Sequence, residues 1–217
     1  MRIAATALLT LGLLAGNAQA AETAAPLAGD AEAGATKAAT CTACHGLNGN
    51  SVTPDWPVIA GQNAAYARDQ IKRIRDGQRP SPLMQPMVQN LNDQDVADLA
   101  AHFAMQTPNG LEADPSYWTA GEALYRYGDA ERGIPACAAC HGPVGRGVPA
   151  AGYPAVQAQH AVYTVKQLND YAAGTRYNKD SAGRPQAGPN AAMMFTIAER
   201  LTPEDRRNLA SYIQGMR

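Results

Sequence analysis

Two copies of Cys-x-x-Cys-His constrain this chain more than any other feature: Cys41-Thr42-Ala43-Cys44-His45 and Cys137-Ala138-Ala139-Cys140-His141. Within one motif the two thiols suit addition across the two vinyl groups of a haem, and the adjacent histidine then reaches the iron from the same side. Two motifs therefore imply two covalently held haem c groups. The chain has 4 cysteines, all inside the motifs, so no thiol is left for a disulfide. A tetrathiolate zinc site would have to close the long loop from Cys44 to Cys137 and would leave both histidines unexplained. A thioredoxin-like redox pair needs a βαβ setting, and no strand pattern precedes either motif.

The start of the chain bears on compartment. Met1-Arg2 is followed by a largely apolar stretch from Ile3 to Ala15 and by Asn17-Ala18-Gln19-Ala20. A short basic start, an apolar run and an Ala-x-Ala site form a bacterial secretory signal over residues 1–20, with cleavage expected after Ala20. No other run approaches the roughly 18 apolar residues of a membrane span. The reading is a periplasmic protein, the compartment in which bacteria attach haem to this motif.

Charge separates the two halves. Residues 21–109 carry 6 basic and 9 acidic side chains, net −3, whereas residues 110–217 carry 11 and 10, net +1. Such asymmetry orients a docking partner through its field, and there is no basic stripe of the kind that binds nucleic acid. With only 2 Phe and 2 Trp in the chain, each half has little apolar bulk for a core. A buried haem supplies the missing centre.

The halves are copies of one another. Pro57, Gln62, Tyr66, Gln70 and Gly77 match Pro154, Gln159, Tyr163, Gln167 and Gly174, each 97 residues on. Leu91, Leu99 and Ala100 match Leu201, Leu209 and Ala210 at 110 residues, so the second copy has an insertion of 13 residues. It falls in the Gly/Pro-rich run Asn178 to Asn190, expected as a surface loop. Each copy reads as a helix into the motif, a loop, a helix (about Asn63 to Asp76, or His160 to Ala173), a methionine segment and a closing helix. Closing helices are signalled by Asn92 with Asp95, and by Thr202-Pro203-Glu204-Asp205. Thr107 to Pro115 is the expected linker, giving domains at 21–109 and 110–217, all-α throughout.

The repeat also selects among the methionines. Met84 lies seven residues before Leu91 and Met194 seven before Leu201, whereas Met87 and Met193 have Ile197 and Leu83 as counterparts. Met105 and Met216 are the remaining candidates in the two halves. Met84 and Met194 are thus the candidate sixth ligands opposite His45 and His141, the His/Met pattern of electron-carrying c-type haems. His102 and His160 are expected to pack or cap, with His160 the first substitute should a methionine fail. Pro54 and Pro149 are the expected sources of the carbonyl that orients each histidine ring. Trp56, Tyr153, Arg79 and Arg176 are candidates for propionate contacts, and Tyr66 and Tyr163 for plain core.

The run Gly128 to Gly142, the segment Pro57 to Gln62, the run Asp93 to Ala101 and the ending Leu209 to Gly215 together resemble the dihaem cytochrome c4 family over nearly the whole mature chain. The resemblance implies two class I cytochrome c domains related by a pseudo-twofold axis. It further implies a carrier that takes electrons from a membrane-bound quinol-oxidising complex and passes them to a terminal oxidase or another periplasmic redox protein. Contact with the membrane surface stays open. So do two other functions: a dihaem peroxidase, which needs an iron that can open, and a haem subunit bound to a periplasmic dehydrogenase.

Overall fold

Helix boundaries follow the capping residues. The N-termini of Ala64–Arg75 and Asp93–Ala104 are closed by Asn63 and Asn92, whose side chains accept from Ala65 N–H and Asp95 N–H; Asp95 returns a bond to the Asn92 N–H. Thr202 and Asp205 form the same reciprocal box at Pro203–Gly215. Each such cap satisfies backbone donors that the first turn leaves without partners.

The computed structural model describes residues 27–183 and 185–217, so the expected signal over residues 1–20 and the start of the first domain lie outside the described residues. Among the described residues there are ten α-helices: α1 (Ala31–Lys37), α2 (Ala39–His45), α3 (Ala64–Arg75), α4 (Gln85–Val88), α5 (Asp93–Ala104), α6 (Trp118–Tyr127), α7 (Ala138–His141), α8 (Ala161–Ala172), α9 (Pro189–Ala198) and α10 (Pro203–Gly215). No β-strand occurs among them, only isolated bridges such as Asp129 with Ile134. No helix among them is long and apolar enough to cross a membrane.

The duplication is visible in space. Helices α3 and α8 are both 12 residues long and start 97 positions apart. In the first copy α1 crosses α5, and in the second α6 crosses α10. Both crossings turn on a glycine: a β-carbon at Gly34 would overlap the Asp98 carbonyl, and one at Gly121 the Asn208 carbonyl. Only a residue without a side chain lets the two backbones come this close.

The copies meet through reciprocal polar contacts, as a twofold interface requires. The Gln159 amide accepts from Val58 N–H at 2.9 Å and donates to Val58 C=O at 2.8 Å. Gln62 does the same to Ala155, the counterpart of Val58, at 2.9 Å for both bonds. Arg79 donates to the Tyr163 hydroxyl at 3.1 Å, and Arg176 to the Tyr66 hydroxyl at 2.9 Å. The tyrosines expected as plain core are therefore interface acceptors.

Symmetry breaks at the insertion, whose described residues lie at the surface as expected but are tethered to the first copy. Asn178 N–H donates to Gln78 C=O at 2.8 Å and its side chain to Gly77 C=O, while Arg73 donates to Gln186 C=O at 2.8 Å. Tyr177 is buried beneath Arg73, its hydroxyl 3.1 Å from the Gln70 amide nitrogen. The segment straps the second copy onto the first. A sequence rich in Gly and Pro favours turns, but it does not reveal what the turns press against.

Candidate haem-binding sites

In the first copy Cys41, Cys44 and His45 all lie on α2. Spacings of three and four residues put Cys44 and His45 on the same side of the helix as Cys41. In the second copy Cys137 caps α7, which carries Cys140 and His141. None of the four cysteines is paired in a disulfide. Burial raises the Cys41 thiol and pushes Cys137 up to about 11. Among the described residues no three His, Cys, Asp or Glu side chains gather as a metal cluster.

Both histidine rings are fixed in the same way. His45 Nδ1 lies 2.9 Å from Pro57 C=O, and His141 Nδ1 lies 2.9 Å from Pro154 C=O. A carbonyl only accepts, so Nδ1 carries the hydrogen and Nε2 is left with its lone pair. Burial lowers the pKa of both rings, opposed by the carbonyl bond. Each is thus a neutral imidazole with one nitrogen anchored and the other free to donate to a metal, the arrangement expected of an oriented ligand.

The carbonyls belong to Pro57 and Pro154, not to Pro54 and Pro149. Pro54 lies inside the turn closed by Trp56 N–H on Thr53 C=O, and the Pro149 carbonyl already accepts from Gly152 N–H. The repeat held the signal: Pro57 and Pro154 are 97 residues apart, whereas Pro54 and Pro149 are not equivalent.

The methionines separate by environment. Met105 is 75% exposed, Met87 and Met193 are also exposed, and Met216 is packed in the second core cluster. Met84 and Met194 are half-buried, the first capping α4 and the second inside the longer α9. His102 packs edge-on to Phe103. His160 caps nothing with its side chain; its Nε2 lies 2.8 Å from Ser51 C=O across the interface, and the ring is buried. That nitrogen is committed to protein.

Arg79 and Arg176 point into the interface. Arg79 also reaches Gln70 and Gln167, and Arg176 is buried against Tyr66 and Gln70 with Nε and Nη1 lacking a protein partner. Neither guanidinium meets a carboxylate among the described residues. Tyr125, whose hydroxyl donates to Gly142 C=O at 2.7 Å just past the second motif, had no sequence signal.

These residues fit a covalent haem. The buried cluster Ala38, Leu99 and Phe103 packs against Cys41, and the cluster around Tyr125, Leu209 and Ile213 packs against Cys137. Each apolar core thus ends at an attachment thiol, where a flat apolar macrocycle would continue it, beside a histidine with a free Nε2.

Comparison with known proteins agrees. The family model described as Cytochrome c matches residues 31–105 and 119–217. Cytochrome c4 from Pseudomonas aeruginosa is 44% identical over 209 residues, covering 96% of each chain. The crystal structure of reduced recombinant cytochrome c4 from Pseudomonas stutzeri superposes with a TM-score of 0.80 at 40% identity, covering 88% of this chain and 100% of that one. A thiosulfate dehydrogenase electron acceptor from Thiomonas intermedia is 33% identical over 211 residues, covering 95% of this chain and 88% of its own.

Proposed function

This chain belongs to the cytochrome c family, in its cytochrome c4 branch, and on that premise we propose that it is a periplasmic dihaem electron carrier with His45 and Met84 ligating one iron and His141 and Met194 the other. Cys41 with Cys44, and Cys137 with Cys140, hold the two haem c groups. When bound, each haem supplies a one-electron change between ferric and ferrous iron.

The observation that carries the reading is its double occurrence. In both copies a neutral histidine is anchored through Nδ1 on an equivalent proline carbonyl, and in both a half-buried methionine sits at the equivalent place before the closing helix. A lone methionine would read as core filler. Thioether ligands favour reduced iron, and two filled sixth positions leave peroxide no site, which argues for relay rather than peroxidase chemistry.

A membrane-bound quinol-oxidising complex is the donor in this reading, and a terminal oxidase the acceptor. A second donor class, a periplasmic dehydrogenase, is favoured by the likeness to a thiosulfate dehydrogenase electron acceptor. Stopped-flow reduction by each candidate donor separates the two.

The ligand assignment is tested on the oxidised protein. Both haems should contribute to a weak methionine-to-iron charge-transfer band at the red end of the spectrum, and Met84→Ala should remove half of it. An unchanged band would reject Met84.

A further inference from the structure

We propose that each copy tunes the other's axial histidine: Gln159 is a positioning residue for His45, and Gln62 for His141. The proposal rests on the reading that these histidines are the iron ligands.

The Pro57 C=O that takes the His45 Nδ1–H and the Val58 N–H that donates to Gln159 Oε1 are opposite ends of one planar peptide group. The second copy repeats this with Pro154 C=O on His141 and Ala155 N–H on Gln62 Oε1. A peptide whose N–H donates is polarised, and its carbonyl becomes a better acceptor; such cooperativity is roughly 10–30% per bond. The path Gln159 to peptide to His45 is therefore a continuous hydrogen-bonded chain of 2.9 Å links that crosses the interface.

Each glutamine also donates to the carbonyl of the residue it grips, at 2.8 Å for Gln159 and 2.9 Å for Gln62. Two bonds to one residue fix the orientation of the preceding peptide plane, and with it the direction of the carbonyl facing the histidine. The amides are themselves fixed, since Asn63 N–H donates to Gln62 Oε1 and His160 N–H to Gln159 Oε1.

A stronger Nδ1–H bond makes the imidazole a better electron donor and favours ferric iron. Loss of a glutamine should weaken that bond and raise the potential of the haem in the opposite copy. The experiment uses the full dihaem protein with Gln62→Met and Gln159→Met, which keep bulk and remove both hydrogen bonds. Midpoint potentials come from spectroelectrochemistry, and the Nδ1–H proton of each histidine is followed by NMR in the reduced state, assigned through its neighbours Pro57 and Pro154.

Gln62→Met should shift the His141 Nδ1–H resonance and raise the potential of the haem on Cys137 and Cys140, by up to about tenfold in its reduction equilibrium, or about 59 mV for one electron. His45 and its haem should stay in place. Gln159→Met should give the mirror result. Gln62→Glu, whose carboxylate accepts from Ala155 N–H more strongly than an amide does, should shift the His141 Nδ1–H resonance and the potential in the opposite sense to Gln62→Met, and serves if the methionine variant does not fold.

Changes confined to the substituted residue's own copy, equal changes in both copies, or no change would each overturn the proposal. Two attached haems and an intact methionine band in the variants show that the electron-carrier reading stands independently of this outcome. Fewer than two haems in the unaltered protein would instead defeat that reading.

Discussion

The same helix crossing is sealed in two different ways. Where α1 meets α5, the seal is polar: Asp98 takes hydrogen bonds from Asp30 N–H at 2.8 Å, Gln94 at 2.7 Å and Lys37 at 2.6 Å. Where α6 meets α10, Asn208 stands in place of Asp98 and the equivalents of Lys37 and Ala38 are Leu124 and Tyr125, both buried. One copy holds its first helix by charge, the other by apolar packing plus the Tyr125 hydroxyl. The glycine contact fixes the geometry in both, so the surrounding side chains were free to diverge without moving the motif that follows.

The largest test of that contrast removes the haem attachment. The first copy's contiguous cluster is Ala38, Leu99 and Phe103, with Ile74, Val88 and Val96 buried outside it, whereas the second's is the larger set Leu124, Tyr125, Ile134, Leu201, Leu209, Tyr212, Ile213 and Met216. Replacing Cys41 and Cys44 by Ser should abolish hydrogen-exchange protection across α3 and α5. Replacing Cys137 and Cys140 should leave part of it in α6 and α10. Equal loss in the two halves would erase the distinction.

A smaller effect comes from Asp98→Asn. The Asp30 N–H, the Lys37 ammonium and the Gln94 amide hold the Asp98 carboxyl down at about 2. Its stabilising effect is complete above the ordinary carboxylate value of about 4 and disappears as the pH falls through about 2. The variant should melt below the parent at pH 7, the gap closing between about pH 4 and 2. A gap that persists at the lower pH would show that charge is not what seals this crossing.

Tyr125→Phe should destabilise only the second copy, by about 1–2 kcal/mol, because the Gly142 carbonyl loses its donor. Chemical denaturation followed at each half's exchange-protected amides would measure it. Last comes the charge imbalance of −3 against +1. Reduction by a partner that docks on the acidic half should slow as salt rises, since screening acts over about 10 Å at 0.1 M. A rate insensitive to ionic strength would place docking elsewhere.

Much of this architecture was legible in the residues. The repeat located both copies of α3 and α8, with Asn63 and His160 at their N-termini, and the Asn92 and Thr202 boxes marked the closing helices. Local signals work here because caps and periodicity act within one or two turns. Contacts between residues about a hundred positions apart leave no such trace. The grip of Gln159 on Val58, the burial of His160 against Ser51 and the strap over Gln78 all depend on how the copies dock. The histidine acceptor is Pro57 and not Pro54 because ring orientation depends on the loop's path, and the duplication marks that proline through its equivalent, Pro154.

The strap has a further consequence for assembly. Tyr177, Asn178 and Gln186 belong to the second copy by chain, yet they reach the first at Gln70, Arg73, Gly77 and Gln78. The earlier-synthesised half therefore emerges with part of its finished exterior still to be made. Its surface is completed only when the later half arrives, so the first unit taken alone would leave the Gly77 and Gln78 carbonyls to water.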